Sequence, residues 1–266
     1  MKKTLIALAV AVSAVSGAAH ADFQGRFNID GTITHEASES KWEWAIGSLD
    51  AIQKTTNDMT DKNTLLTIAQ DKATAILSGH TKEAFSVAST GLGAVPVISF
   101  SDYKGGDVVL ENLDGNPGKG YFSLPMKDSE NNDLGSVKVN VTYAALLLQI
   151  RGGLTEVSSL EALKDSHVYY GGLVRPSVER GSSANDIVQR FGGVGADALR
   201  GKIPNAPALG NGYRANTDMV KTDGSVMASS YTLGIDKGQT IEARFNKPVL
   251  TTTKWSAPLS VLVTYN

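Results

Sequence analysis

Cysteine is absent from the 266 residues, and that absence excludes disulfides, thiolate zinc sites, iron–sulfur ligation and cysteine nucleophiles together. Histidine is scarce, and His20, His35, His80 and His167 are too scattered to spell a pair of metal ligands. Neither sign of charge dominates. With 25 Lys and Arg against 27 Asp and Glu, and no basic run, the electrostatic footprint of nucleic-acid binding is missing, so nucleic acid is not an expected partner. Three tryptophans give no aromatic girdle for an outer-membrane barrel. A composition that is 41% hydrophobic and 20% charged excludes collagen, coiled coil and wholesale disorder.

What is present begins with a leader. Lys2 and Lys3, the apolar run from Leu5 to Val15, and Ala19-His20-Ala21 form the charged, hydrophobic and cleavage regions of a secretory signal over residues 1–21. Ser13, Ser16 and Gly17 break the run short of the roughly 20 residues that span a bilayer. Export through the periplasm is therefore expected, and loss of the two lysines takes the formal charge from −2 to −4.

Period-2 alternation marks the body of the chain as mainly antiparallel β. Val137, Val139, Val141 and Tyr143 share one face; Ile241, Ala243 and Phe245 repeat the pattern, as do Leu259, Val261, Val263 and Tyr265. Asp114-Gly115, Asp223-Gly224 and Lys237-Gly238 read as turns. From about 147 to 215 glycines and prolines interrupt the strands, and two helix starts are predicted: Ser158-x-x-Glu161 and Ser183-x-x-Asp186. This region reads as an insertion of strands and short helices in a β-sandwich. Trp42 and Trp44, at i and i+2, are expected to pack on one face of a strand.

Both ends carry an unusual pattern. Phe23, Gly25, Phe27, Ile29, Gly31 and Ile33 alternate with polar residues just after the cleavage site, and Gly31 leaves a gap in the apolar face that suits a shallow groove. Trp255, Leu259, Val261, Val263 and Tyr265 run to the other terminus; an apolar strand there leaves an edge that something must pair. An ordinary first strand accounts for the first pattern, and β-strand addition between subunits accounts for both.

Lys41-Trp42-Glu43-Trp44, Thr81-Lys82-Glu83-Ala84-Phe85, Ser136-Val137-Lys138-Val139-Asn140, the run from Gly238 to Asn246 and Trp255-Ser256-Ala257-Pro258-Leu259 resemble, in the same order, the FaeG-type fimbrial major subunits, adhesive pilins of enterotoxigenic Escherichia coli. The resemblance covers the whole chain and is weakest between about 147 and 215. It implies an incomplete immunoglobulin-like sandwich over 36–266 and an N-terminal donor-strand extension over 22–35. It also implies a periplasmic chaperone and outer-membrane usher as partners, and assembly into a homopolymer by donor-strand exchange. Phe27, Ile29, Gly31 and Ile33 match the donor strand; Trp255, Leu259, Val261, Val263 and Tyr265 match the C-terminal strand that lines the groove and is held by the chaperone. The glycine usual near the start of that strand in the wider class of chaperone-usher pilins is absent, with Thr253 about there. In docking, Phe27, Ile29 and Ile33 would each contribute about 1.5–3 kcal/mol as an upper estimate.

The resemblance also implies that a host glycoconjugate binds in the variable insertion. Asp165, His167, Tyr169, Tyr170 and Arg175 are its densest cluster of aromatic and polar groups suited to a sugar. No cofactor, metal or catalytic residue is expected. Gly192 to Arg200 spells one calcium-binding nonapeptide but has no tandem copy, and reads as a glycine-rich turn into a short helix. Asp128, Glu130, Asn132 and Asp133 lack the glycine and distal acid of a calcium loop and read as a polar hairpin turn. Two alternatives to the adhesive subunit are a minor subunit of the same system without receptor binding, and a secreted β-sandwich carbohydrate-active enzyme with paired carboxylates.

Overall fold

The computed structural model describes residues 23–26, 41–90 and 94–266. Its strands are β1 (Phe23–Arg26), β2 (Trp42–Ile46), β3 (Met59–Thr60), β4 (Leu65–Ala69), β5 (Thr74–Thr81), β6 (Pro96–Ser101), β7 (Asp107–Val108), β8 (Glu111–Asn112), β9 (Lys119–Lys127), β10 (Asp133–Arg151), β11 (Leu154–Ser159), β12 (Leu209–Asn211), β13 (Met227–Ile235), β14 (Thr240–Phe245) and β15 (Ser260–Tyr265). Three α-helices, α1 (Val87–Thr90), α2 (Gly181–Arg190) and α3 (Ala196–Arg200), and one 3-10 turn at Thr56–Asp58 complete the described elements. The chain is mainly β with antiparallel sheets, consistent with a β-sandwich.

The longest alternating stretch of the sequence becomes the spine. β10 runs 19 residues and exchanges partners near its middle. Residues 133–142 pair with β9 on one edge and 135–139 with β14 on the other; further along, 146–151 pair with β11 and 142–149 with β13. Val137, Val141, Tyr143, Ala145 and Leu147 enter the main core. Ala144, Leu146 and Leu148 face the opposite way into a second core with Val157, Ala184, Ile187, Val188 and Leu199. A strand covered on both faces reads as a continuous apolar run, which is why alternation fades after Tyr143.

The main core lies between the larger sheet, ordered β2-β5-β13-β10-β14-β4-β3, and a four-stranded sheet ordered β1-β15-β6-β7. Trp42 and Trp44 are centred there, with Tyr169 edge-on to both at 5.5 and 6.1 Å. Trp44 Nε1 donates to the Tyr265 hydroxyl at 2.8 Å, tying β2 to β15 across the sandwich.

Two expectations need correction. No helix starts at Ser158: residues 154–159 are β11, the Ser158 hydroxyl donates to Glu156 Oε1, and Leu160 bridges to Ala215. The C-terminal strand is shorter than the alternation suggests, because Trp255 to Leu259 precede β15 and Ser256 instead bridges to Lys127. The second helix exists but begins two residues before Ser183, with Arg180 as its extended N-cap residue and the Ser182 amide held by Asn211 Oδ1. Gly192 (φ +75°) makes the turn toward α3, and Gly193 lies so close to Val188 that a Cβ would meet its side chain at 2.8 Å. Gly115, Gly224 and Gly238 take positive φ at the expected turns. Asp128 accepts the amides of Glu130 and Asn132 in the polar β9–β10 hairpin.

Candidate functional site

The candidate assembly site is the edge of β15. Val261 and Val263 are fully buried in the main core, with Leu259 just before them, so the strand is fixed by its inward face. β6 occupies one edge along all six residues, from Ser260 opposite Ser101 to Tyr265 opposite Pro96. The other edge receives β1, antiparallel, with Phe23 opposite Val263, Gln24 opposite Leu262, Gly25 opposite Val261 and Arg26 opposite Ser260. Trp255 lies outside the strand, half-buried against the core. Phe27, Ile29, Gly31 and Ile33 lie outside the described residues.

The sugar-binding cluster expected from the sequence is divided by the fold. Tyr169 is wholly buried beneath Trp42, Trp44 and Tyr231, where its hydroxyl shares a hydrogen bond with Ser229 Oγ. Burial pushes that phenol well above its ordinary pKa. His167 is also buried; its Nδ1 accepts the Leu163 amide at 3.1 Å, and burial, reinforced by Lys164, holds its pKa below the ordinary value. Asp165, Tyr170 and Arg175 are exposed. The Arg175 guanidinium pairs with buried Glu161, which Arg214 approaches to 3.8 Å. The cause of the division is a left-handed residue: Tyr169 has φ +64°, which turns its ring inward as Tyr170 turns out. The carbonyls of Pro96 and Tyr170 anchor this segment to β6 by accepting the amides of Tyr169 and Ile98.

A different aromatic surface, not apparent in the sequence, stands at the start of α2. Tyr213 is 56% exposed, and the Arg180 guanidinium carbon lies 3.6 Å from its ring centroid. Glycines on both sides of Asn211 let β12 lie close over β11: a Cβ on Gly212 would meet the Glu156 and Ser158 side chains below 3 Å. The stretch Gly210-Asn211-Gly212-Tyr213-Arg214 carries the local signal, but Arg180 joins it only through the fold. Such a ring, stacked on one face by a guanidinium, offers a sugar an apolar face beside a multiple hydrogen-bond donor. A cleft of about 170 Å³ on the outside of β2 and β5 is lined by Glu43, Ser78, His80 and Gly193 among others; His80 Nε2 sits 3.5 Å from Glu43, and burial lowers its pKa. Among the described residues no three His, Asp or Glu side chains converge as metal ligands, and no helix is long and apolar enough to cross a membrane.

Comparison with known proteins adds the family. A family model described as "Fimbrial, major and minor subunit" matches residues 1–266. K88 fimbrial proteins AC and AD of Escherichia coli are each 46% identical to this chain over alignments that cover all of both sequences. The F41 fimbrial protein of Escherichia coli is 27% identical, again over the full length of both.

Proposed function

The chain belongs to the family of fimbrial major and minor subunits, and from that premise we propose that it polymerises by donor-strand exchange and adheres to host glycoconjugates along the filament. The observation that carries the assembly reading is the antiparallel seat of Phe23–Arg26 on β15. An edge fixed by buried Val261 and Val263, and left open by β6 on one side, accepts a strand from the N-terminal segment. In the filament that strand comes from the neighbouring subunit and uses Phe27, Ile29, Gly31 and Ile33. Residues 1–21 direct export, a periplasmic chaperone holds β15 before assembly, and an outer-membrane usher orders the subunits. Deleting residues 22–34 abolishes filaments seen by electron microscopy; filaments of normal length from that deletion would defeat the reading.

For adhesion, exposed Tyr213 with half-buried Arg180 against its ring is the better-placed platform within the inserted region at about 147–215, with Tyr170, Asp165 and Arg175 as a second, exposed group. Multivalent display lets a site of modest affinity hold a cell. Tyr213→Ala in assembled fimbriae is expected to weaken binding to host glycoconjugates on a glycan array by about tenfold or more, as loss of a stacked ring worth roughly 1.5 kcal/mol or more requires. Unchanged binding by intact filaments would assign the receptor to another surface. The family spans minor as well as major subunits, so the copy number of this chain in purified fimbriae decides between those places in the filament.

A further inference from the structure

We propose that the cleft on the outer face of β2 and β5 binds one neutral, polyhydroxylated ring, a single sugar residue. The site shares no residue with the Tyr213 platform and goes beyond the adhesion reading above. Its placement, its polarity and its charge balance carry the assignment.

The cleft is built by the register of three strands. β2 is the edge of the larger sheet, followed by β5 and β13. Glu43 lies opposite His80, which lies opposite Ser230; Ala45 lies opposite Ser78, which lies opposite Thr232. Residues paired in this way share a face, so two rows cross the sheet on the side that β10 lines with Ala144 and Leu146. The glycine turn that follows α2 closes the cleft through Gly192, Gly193 and Val194. At about 170 Å³ the space lies well below the roughly 300 Å³ at which sites for drug-sized ligands begin, and suits a single ring.

Packing alone does not explain the polarity of those rows. Ser230 and Thr232 are fully buried, yet their hydroxyls have no hydrogen-bond partner among the described residues. Alanine or valine there would pack without the cost of an unpaired buried group. Where the same rows reach β10 they are apolar, as Leu146 and Ala144. A packing rule broken only where a cleft opens marks a functional place. To a ring the cleft offers an acceptor in Glu43, groups that both donate and accept in Ser78 and His80, and a small apolar patch from Ala45 and Val194.

Charge decides what kind of ring. Burial lowers the His80 pKa, Lys202 acts in the same direction and Glu43 against both, so near neutral pH the imidazole is uncharged. Its Nε2 stands 3.5 Å from the Glu43 carboxylate, too long for a full hydrogen bond, and both keep capacity for a third group. The Lys202 ammonium, which donates to the Thr81 carbonyl at 2.6 Å, lies within the field of Glu43. An anion in the cleft meets the carboxylate, and a cation meets the ammonium. A neutral ligand rich in hydroxyls meets neither cost.

Saturation-transfer difference NMR on the purified protein in its native assembled state tests this. The neutral probes are methyl glycosides of glucose, galactose, mannose and N-acetylglucosamine; the charged probes are N-acetylneuraminic acid and glucosamine. At least one neutral glycoside is expected to give saturable transfer, and the charged probes none. Ala45→Leu puts a larger side chain into the cleft from an exposed position, and is expected to abolish the transfer. Glu43→Gln is expected to weaken binding about tenfold or more, as loss of a charged hydrogen-bond acceptor does. Should Ala45→Leu fail to fold, Ser78→Val removes a cleft hydroxyl with a residue suited to a strand, and the same loss is expected. A free sugar and the end residue of a glycan share this chemistry; transfer to the corresponding disaccharide assigns the chain end, and its absence the free sugar. Transfer that persists in Ala45→Leu and disappears in Tyr213→Ala would overturn the inference and leave the adhesion reading standing. No transfer from any neutral glycoside, or equal transfer from the charged probes, would also overturn it, while binding on the glycan array decides the adhesion reading separately.

Discussion

His167 shows how a side chain chosen for chemistry by its type is given a different task by its surroundings. It is buried, and its Nδ1 accepts the Leu163 amide, a role only the unprotonated nitrogen can fill. Its pKa is lowered in the fold, so the unfolded chain binds more protons between the folded value and the ordinary value of about 6.5. The contribution to stability is therefore complete above about pH 6.5 and is lost as pH falls below it. The urea midpoint is expected to drop between about pH 7.5 and 5.5, and His167→Asn, which keeps an acceptor but does not titrate, is expected to flatten that slope. His80, shifted in the same direction by burial, leaves part of the slope in place. Tyr169 teaches the same lesson. Sequence places it beside Tyr170 as half of an aromatic pair, but a positive φ sends it under the tryptophans, and positive φ at a tyrosine has no sequence signature.

At the scale of elements, strands with one buried face were legible and strands with two were not. β14 and β15 alternate as their sequences do, with Ile241, Ala243, Phe245, Val261 and Val263 inward. The C-terminal half of β10 loses its alternation because α2 and α3 cover the face that water would otherwise wet. The missed strand β11 has a specific cause as well. Ser158 and Glu161 spell a capping box, yet the serine bonds to Glu156 within its own strand and Glu161 is drawn to Arg175 and Arg214. Side-chain partners remote in sequence thus overrode a local pattern. Between β2 and β5 the tolerance is small. A Cβ on Gly79 would lie 2.3 Å from the Trp44 ring, whose Nε1 also holds Tyr265. Gly79→Val is expected to destabilise the domain by about 1–3 kcal/mol through overpacking. A lower urea midpoint and a shifted tryptophan emission spectrum check it.

At the scale of the whole molecule, two sheets meet over one core, a second core lies under two short helices, and Phe23–Arg26 pair with the edge of the C-terminal strand. Family membership was legible because dispersed motifs such as Lys41-Trp42-Glu43-Trp44 keep their order along the chain. The pairing of exposed Tyr213 with half-buried Arg180 was not legible, since the two are 33 positions apart. The central claim is that the edge of β15 is the assembly edge and that the N-terminal segment fills it. The most direct test moves residues 22–34 behind Asn266 on a short flexible linker. β15 ends at Tyr265 and β1 runs antiparallel to it, so a hairpin return places the relocated strand on the same edge in the same direction. Size by gel filtration, migration on an unboiled SDS gel and electron microscopy then compare the two forms. The account predicts that the native order yields filaments and the relocated form a stable monomer that never joins them. Filaments assembled by the relocated form would contradict it.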